Sequence, residues 1–245
     1  MAEKVKFLTN ANETLANAIR RSVNEIPILA IEETEIYKND SALYDEVLAH
    51  RLGLIPLKDK RKITEREKCS CKGKGCSKCI LQLTLKAKGP CTVYSGDIKG
   101  DVEIIYDKMP IVILDVNQEL EIVCFAQLGK GVKHAKYSPG LIYYRNISEV
   151  TIKNIEKAER ILEKIKDSLI DFKGKSKIGD TIKSTADSDY IESLIDEENV
   201  IEVNQGEEII YFVEAWGQIE STEILKQAVK ELGSKLKEVL KTVKK

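Results

Sequence analysis

Four of the six cysteines fall between positions 69 and 79, as Cys69-x-Cys71-x4-Cys76-x2-Cys79 within CSCKGKGCSKC. A zinc ion closed in a tetrahedron takes four thiolates and leaves no position open for substrate, so the loop predicts a structural rather than a catalytic metal. Gly73 and Gly75 free the backbone to turn back and bring both cysteine pairs to one ion. Four thiolates around a divalent cation leave surplus negative charge, which Lys68, Lys72, Lys74 and Lys78 stand ready to offset. One structural zinc is the favoured occupant. An iron–sulfur cluster, or thiols and disulfides without metal, are the alternatives that the spacing leaves open.

Other reactive side chains carry weaker signals. Cys91 and Cys124 sit in strand-like sequence and read as small buried hydrophobes, Cys124 sharing a face with Ile122 and Ala126. The only two histidines, His50 and His134, lie in no nucleophile context, and most carboxylates sit on charged helical faces, so no catalytic residue is expected. Residues 129–137 (GKGVKHAKY) lack the Gly-Lys-Ser/Thr ending of a phosphate loop, and no amphipathic helix follows. They read as an exposed basic and aromatic loop that faces a partner.

Length and charge narrow the field. A chain of 245 residues has room for one large or two modest domains, and its 42% hydrophobic content suffices for a core. Lys and Arg number 39 against 40 Asp and Glu. That balance argues against a stand-alone nucleic-acid binder, which carries a basic excess, and against disorder. No apolar stretch reaches the roughly 18 residues of a membrane span, and residues 1–9 lack the apolar run of a signal peptide, so a cytoplasmic protein with reduced thiols is expected.

The elements that must position the cysteine loop follow from periodicity. Asn10 and Glu13 form a capping box opening a helix over residues 11–26, which Pro27 stops. Leu15, Ala18, Ile19, Ser22, Val23 and Ile26 make one stripe on it, with Arg20 and Arg21 elsewhere. A strand is expected at 28–37 and a short helix at 45–53. Strands are expected at 81–87, 92–94, 102–106, 111–114 and 120–128, so that 39–140 reads as a β-rich module. A strand at 141–152 and a helix at 155–170 come next, then a loose connection at 174–189 and a strand at 209–215. The last helix, 222–244, places Leu225, Ala228, Leu232, Leu236, Val239 and Val243 at near-heptad spacing, with a lysine- and glutamate-rich face opposite. Such a stripe packs either on the chain's own sheet or on a second polypeptide.

With these residues in view, the sequence resembles the alpha-like subunits of RNA polymerase. Residues 12–21 (NETLANAIRR) resemble the family's first-helix signature. Further similarity follows in order at 28–37, at 50–56 (HRLGLIP), in the cysteine loop, at 133–139 (KHAKYSP) and at 212–217 (FVEAWG). The likeness is greatest to the archaeal D type, related to the bacterial alpha amino-terminal domain and to the third-largest subunit of eukaryotic RNA polymerase II.

The resemblance implies an α+β fold. A discontinuous dimerisation domain would be built from residues 1–38 and 141–245, with an inserted β-rich domain at 39–140 carrying the loop 69–79. It further implies an assembly subunit of DNA-directed RNA polymerase that pairs with the smaller subunit L and then recruits subunits N and P and the second-largest subunit. The phosphoryl-transfer residues would belong to the largest subunits, and no DNA or membrane contact is expected of this chain. Leu15, Ile19, Arg20, Arg21, Ile26, Leu225, Ala228, Leu232, Leu236 and Val239 would contact partners, and Arg21 matches an arginine associated with the large catalytic subunit. Four residues lie between the inner cysteines, Cys71 and Cys76, where the eukaryotic relative has three. Some archaeal members carry a ferredoxin-like insertion later in the chain, but residues 148–245 contain no cysteine, so its cluster is not expected here. An iron–sulfur redox sensor is the alternative function.

Overall fold

The computed structural model describes residues 4–170, 172, 177–196 and 199–243. In chain order the elements are β1 (Lys4–Thr9), α1 (Glu13–Ser22), β2 (Pro27–Asn39), α2 (Asp45–Gly53), β3 (Leu57–Asp59), β4 (Ile80–Lys88), β5 (Cys91–Tyr94) and β6 (Val102–Ile104). They continue with β7 (Pro110–Leu114), β8 (Glu119–Lys130), β9 (Gly140–Ile152), α3 (Ile155–Lys164), β10 (Thr181–Ser184), α4 (Ser188–Glu192), β11 (Ile201–Ala215) and α5 (Ser221–Val243). The class is α+β, as the sequence implies. The strands form a four-stranded sheet ordered β1-β11-β9-β10, a three-stranded sheet β2-β8-β4 and the pairs β3-β6 and β5-β7.

Contacts divide the chain into two compact units. One comprises residues 1–4, 21–141 and 214–245, the other 5–20 and 142–213. In the first, β8 runs antiparallel to both β2 and β4. Its residues Leu120, Ile122, Cys124 and Ala126 are buried at every second position, opposite Ala87, Leu85, Leu83 and Leu81 of β4. Each fully buried leucine contributes roughly 2 kcal/mol by leaving water. Helix α2 adds Leu48 and Leu52, one turn apart on one face, to the same core. Asp45 and Glu46 in its first turn and His50 and Arg51 in its last complement the helix dipole.

In the second unit Ala158, Ile161, Leu162 and Ile165 of the α3 region are buried together with Val150, Ile152 and Ile182. The Asn154 side chain caps α3 by accepting from the Lys157 amide. A smaller cluster joins Ala16 of α1 to Ile209 and Tyr211, where the Tyr211 hydroxyl donates to the Ala16 carbonyl at 2.8 Å.

Several boundaries differ from the sequence reading. Helix α1 starts at Glu13 because the capping side chain is Asn12, whose Oδ1 accepts from the Leu15 amide at 2.9 Å; the Asn10–Glu13 box is two residues early. From Val23 to Glu25 the chain tightens into a 3-10 turn ahead of Pro27. The connection at 174–189 is not wholly loose. Thr181–Ser184 is strand β10, paired along β9 from Thr181–Thr151 to Ser184–Ser148, and α4 begins at Ser188. Residues 174–176 of that connection lie outside the described residues, as do 244 and 245. Strand β11 starts at Ile201, eight residues early, since sheet pairing carries the polar segment before Ile209.

Candidate metal centre and exposed helix faces

The cysteine loop runs from a 3-10 turn at Arg66–Lys68 into β4, which begins at Ile80 directly after Cys79. Lys72, Gly73 and Gly75 have φ of 52°, 82° and 92°, three left-handed residues that fold the loop back on itself. Arg66 braces it, its Nε donating to the Gly73 carbonyl at 2.9 Å, and the Thr64 amide donates to the Lys78 carbonyl at 2.9 Å.

All four sulfurs lie within 4.8 Å of one another. Cys69 and Cys76 are 3.6 Å apart, Cys71 and Cys79 3.7 Å, and Cys76 and Cys79 3.9 Å. A tetrahedron of thiolates at about 2.3 Å from zinc has edges of roughly 3.8 Å, so the separations fit a four-coordinate ion and are too long for disulfides. Cys69 and Cys79 are buried and Cys71 and Cys76 partly so. The Gly75 amide donating to Cys71 lowers that thiol to about 6, while burial pushes Cys79 up to about 12. A cation binding here would displace the protons that burial retains. The four-cysteine group can hold a metal ion. Of the lysines expected to offset its charge, Lys68 is engaged with Glu65 at 2.5 Å.

Helix α5 presents two different halves. Ser221, Ile224 and Ala228 are buried, and the 3-10 turn at Val23–Glu25 packs against it, with Glu25 accepting from Lys235. Beyond Leu232 the apolar positions face solvent: Leu236 is 56% exposed, Val239 59%, Leu240 57% and Val243 78%. On α1, Leu15 and Arg21 are exposed and Ile19 is half-buried. Arg20 is held by Asn17, whose Oδ1 accepts from its Nε at 3.2 Å and its Nη2 at 2.8 Å. Ile26 and Ala228 are 1% and 0% exposed, occupied by the chain's own core.

Two sequence expectations are overturned nearby. Tyr137, read as an exposed contact aromatic, is 2% exposed; its hydroxyl donates to Glu32 at 2.7 Å and its ring covers Gly129. Lys136 pairs with the same Glu32 and Lys133 with Glu67 at 2.7 Å, so the 129–137 loop is tied to β2 and to the 3-10 turn that leads into the cysteine loop. Burial alone would raise Glu32, but the hydrogen bonds from Lys136 and Tyr137 outweigh it and leave the carboxyl below its usual range. Cys91 is exposed at the start of β5, whereas Cys124 is buried and its thiol is pushed up to about 12.

Residues 29–143 match the family model described as the RNA polymerase Rpb3/RpoA insert domain. The chain is similar to curated proteins named DNA-directed RNA polymerase subunit Rpo3. That of Archaeoglobus fulgidus is 33% identical across 98% of this chain and 94% of its own length. That of Pyrococcus horikoshii is 35% identical across 91% and 87%, and that of Methanocaldococcus jannaschii 31% across 98% and 90%.

Proposed function

Because the chain belongs to the Rpo3 family of archaeal DNA-directed RNA polymerase subunits, we propose that it acts as a non-catalytic assembly subunit of a nucleotidyltransferase, holding the catalytic subunits in register for transcription. The observation that carries this reading is the uncovered half of α5. A stripe of Leu236, Val239, Leu240 and Val243 at near-heptad spacing is expensive to leave in water and matches what a second helix would cover.

The heterodimer partner is the smaller subunit L, with subunits N and P and the second-largest subunit joining the pair. Leu15, Ile19, Arg20 and Arg21 on α1, and Leu225, Leu232, Leu236 and Val239 on α5, make the contacts. Ile26 and Ala228 support them from within the chain. Residues 1–38 and 141–245 act together as the dimerising part, with 39–140 inserted, a grouping by partner rather than by internal contact. The ion in the four-cysteine loop is one structural zinc, which closes the loop and takes no part in chemistry. No helix among the described residues is long and apolar enough to cross a membrane, in keeping with work in the cytoplasm. The iron–sulfur redox alternative gains no support from the relatives, which carry the polymerase name.

Co-expression of the full chain with subunit L, followed by size-exclusion chromatography, tests the role. A stable one-to-one complex that then captures N and P is expected. A chain that elutes alone under these conditions overturns it.

A further inference from the structure

The even overall charge conceals one strongly basic stretch. Residues 60–78 hold eight Lys or Arg against two Asp or Glu, in a chain whose formal net charge is -1. Three of these cations are already engaged: Arg61 with Asp101 at 3.0 Å, Arg66 with Glu33 at 3.9 Å and Lys68 with Glu65 at 2.5 Å. Lys60, Lys62, Lys72, Lys74 and Lys78 are exposed and form no ion pair among the described residues. The Thr64 amide donates to the Lys78 carbonyl at 2.9 Å, which ties the segment carrying Lys60 and Lys62 to the end of the cysteine loop. Four thiolates closed on a divalent ion would carry about two negative charges, too few to cancel the excess.

A cleft of about 480 Å3 opens beside these lysines, lined by Arg61, Lys74, Ser77, Gln82, Asp101 and Phe125 among others. Phe125 of β8 and Gln82 of β4 are register partners, on the sheet face opposite the buried Leu81, Leu83, Cys124 and Ala126. The Gln82 and Ser77 side chains are exposed and have no hydrogen-bond partner among the described residues. Asp101 holds Arg61 and Arg66 faces Glu33, the β2 neighbour of Phe125, so Lys74 is the open cation of the cleft. An aromatic ring flanked by an open amide, a hydroxyl and unpaired lysines suits single-stranded nucleic acid. Phosphates meet the ammonium groups, and a base free of its pairing partner stacks on the ring. A duplex keeps its base faces stacked, and an acidic polypeptide would meet the lysines while leaving Phe125 and Gln82 unused.

We infer that this basic lobe binds single-stranded RNA, with backbone phosphates along Lys60, Lys62, Lys74 and Lys78 and one base stacked on Phe125, its edge toward Gln82. The inference rests on the place in a DNA-directed RNA polymerase proposed above, which makes the transcript the single strand that the lobe meets.

The full chain is titrated against fluorescein-labelled oligouridine, with binding read by anisotropy over a range of salt concentrations. Binding is expected to weaken with salt at a log–log slope of about −3, the value for roughly four phosphates met by a single strand. Lys60→Gln combined with Lys62→Gln, both outside the cysteine loop, should lower the affinity about tenfold and flatten that slope by about 1. Phe125→Leu should also cost about tenfold but leave the slope unchanged, because stacking releases no counterions. Thermal melts of both variants separate a lost contact from a lost fold. No binding at low salt, or binding that survives both variants, overturns the site. Polyglutamate that displaces the RNA at a lower concentration of charge assigns the lobe to an acidic polypeptide and overturns the proposal. In a polymerase reconstituted with this chain, 4-thiouridine in the transcript should photocrosslink to the lobe. Crosslinks from 4-thiothymidine in the DNA strands instead, or none from a polymerase that transcribes, overturn the RNA assignment and leave the assembly role standing; a chain that joins no polymerase overturns both.

Discussion

The cysteine loop and the second half of α5 are both surface features with strong sequence periodicity, but they differ in where their complement lies. In the loop, all four ligands come from one stretch, 69–79, and left-handed residues at 72, 73 and 75 turn that stretch inward until the sulfurs stand a tetrahedral edge apart. From outside the stretch, the hydrogen bonds of Arg66 and Thr64 and the start of β4 hold it in place. Helix α5 is the reverse: it is regular over six turns, yet beyond Leu232 no other described residue comes close enough to bury its apolar face. A local site can be completed by one small ion, whereas an extended apolar stripe needs a surface of its own length.

The largest expected effect comes from breaking the local site. Metal analysis of the purified chain should give about one zinc per molecule with no visible absorption band, and Cys76→Ser should lose the metal and loosen the loop, measured as rapid amide exchange over 69–79. Brown protein, or metal retained by the variant, would sink the four-thiolate zinc assignment. The next effect is on the extended site. Leu236→Asp puts an unpaired charge where a partner helix would dry it and should weaken the heterodimer by about 3 kcal/mol, or more than a hundredfold in affinity. Because Leu236 is exposed in the single chain, the variant's own melting should hardly change. Equal loss of monomer stability would show that α5 is not waiting for a partner.

Smaller effects sharpen the contrast between the anchored and free parts. Tyr137→Phe deletes the buried hydroxyl that Glu32 accepts, at an expected cost of about 1 to 2 kcal/mol in denaturant unfolding of the chain. The smallest effect concerns pH. The hydrogen bond from Lys235 holds Glu25 below 4.5, aided by Lys130 and opposed by burial. A depressed carboxylate stabilises the fold above its unfolded pKa and loses that contribution as pH falls through the folded value. Amide protection around residues 23–25 and 235 should therefore be flat above about pH 5 and decline below 4.5. A decline beginning at neutral pH would refute this ion-pair anchor.

Much of this was legible in the chain itself. Strand β4 followed from strict alternation, α2 from Asp45 at its start and Gly53 at its end, and the cysteine loop from ligand spacing, because in each the determining contacts are local or repeat with a fixed period. The misses share a cause. β10 is four residues of TIKS that become a strand only because β9 offers an open edge, and β1 is six residues whose alternation was too short to read unaided. Tyr137 looked like a contact aromatic until Glu32, more than a hundred residues earlier, took its hydroxyl. The cleft beside Lys74 gave no signal in the sequence, since Phe125 of β8 and Gln82 of β4 meet there only through strand register.

Residue order by itself determined the type of ligand set, the heptad face of α5 and the family, since each is a pattern of side chains along one dimension. Only the tertiary structure decided which of those apolar faces stay uncovered: Ile26 and Ala228 sink into the chain's own core while Leu236 and Val243 remain in water. Periodicity says which residues share a face, but burial depends on what distant segments bring against it.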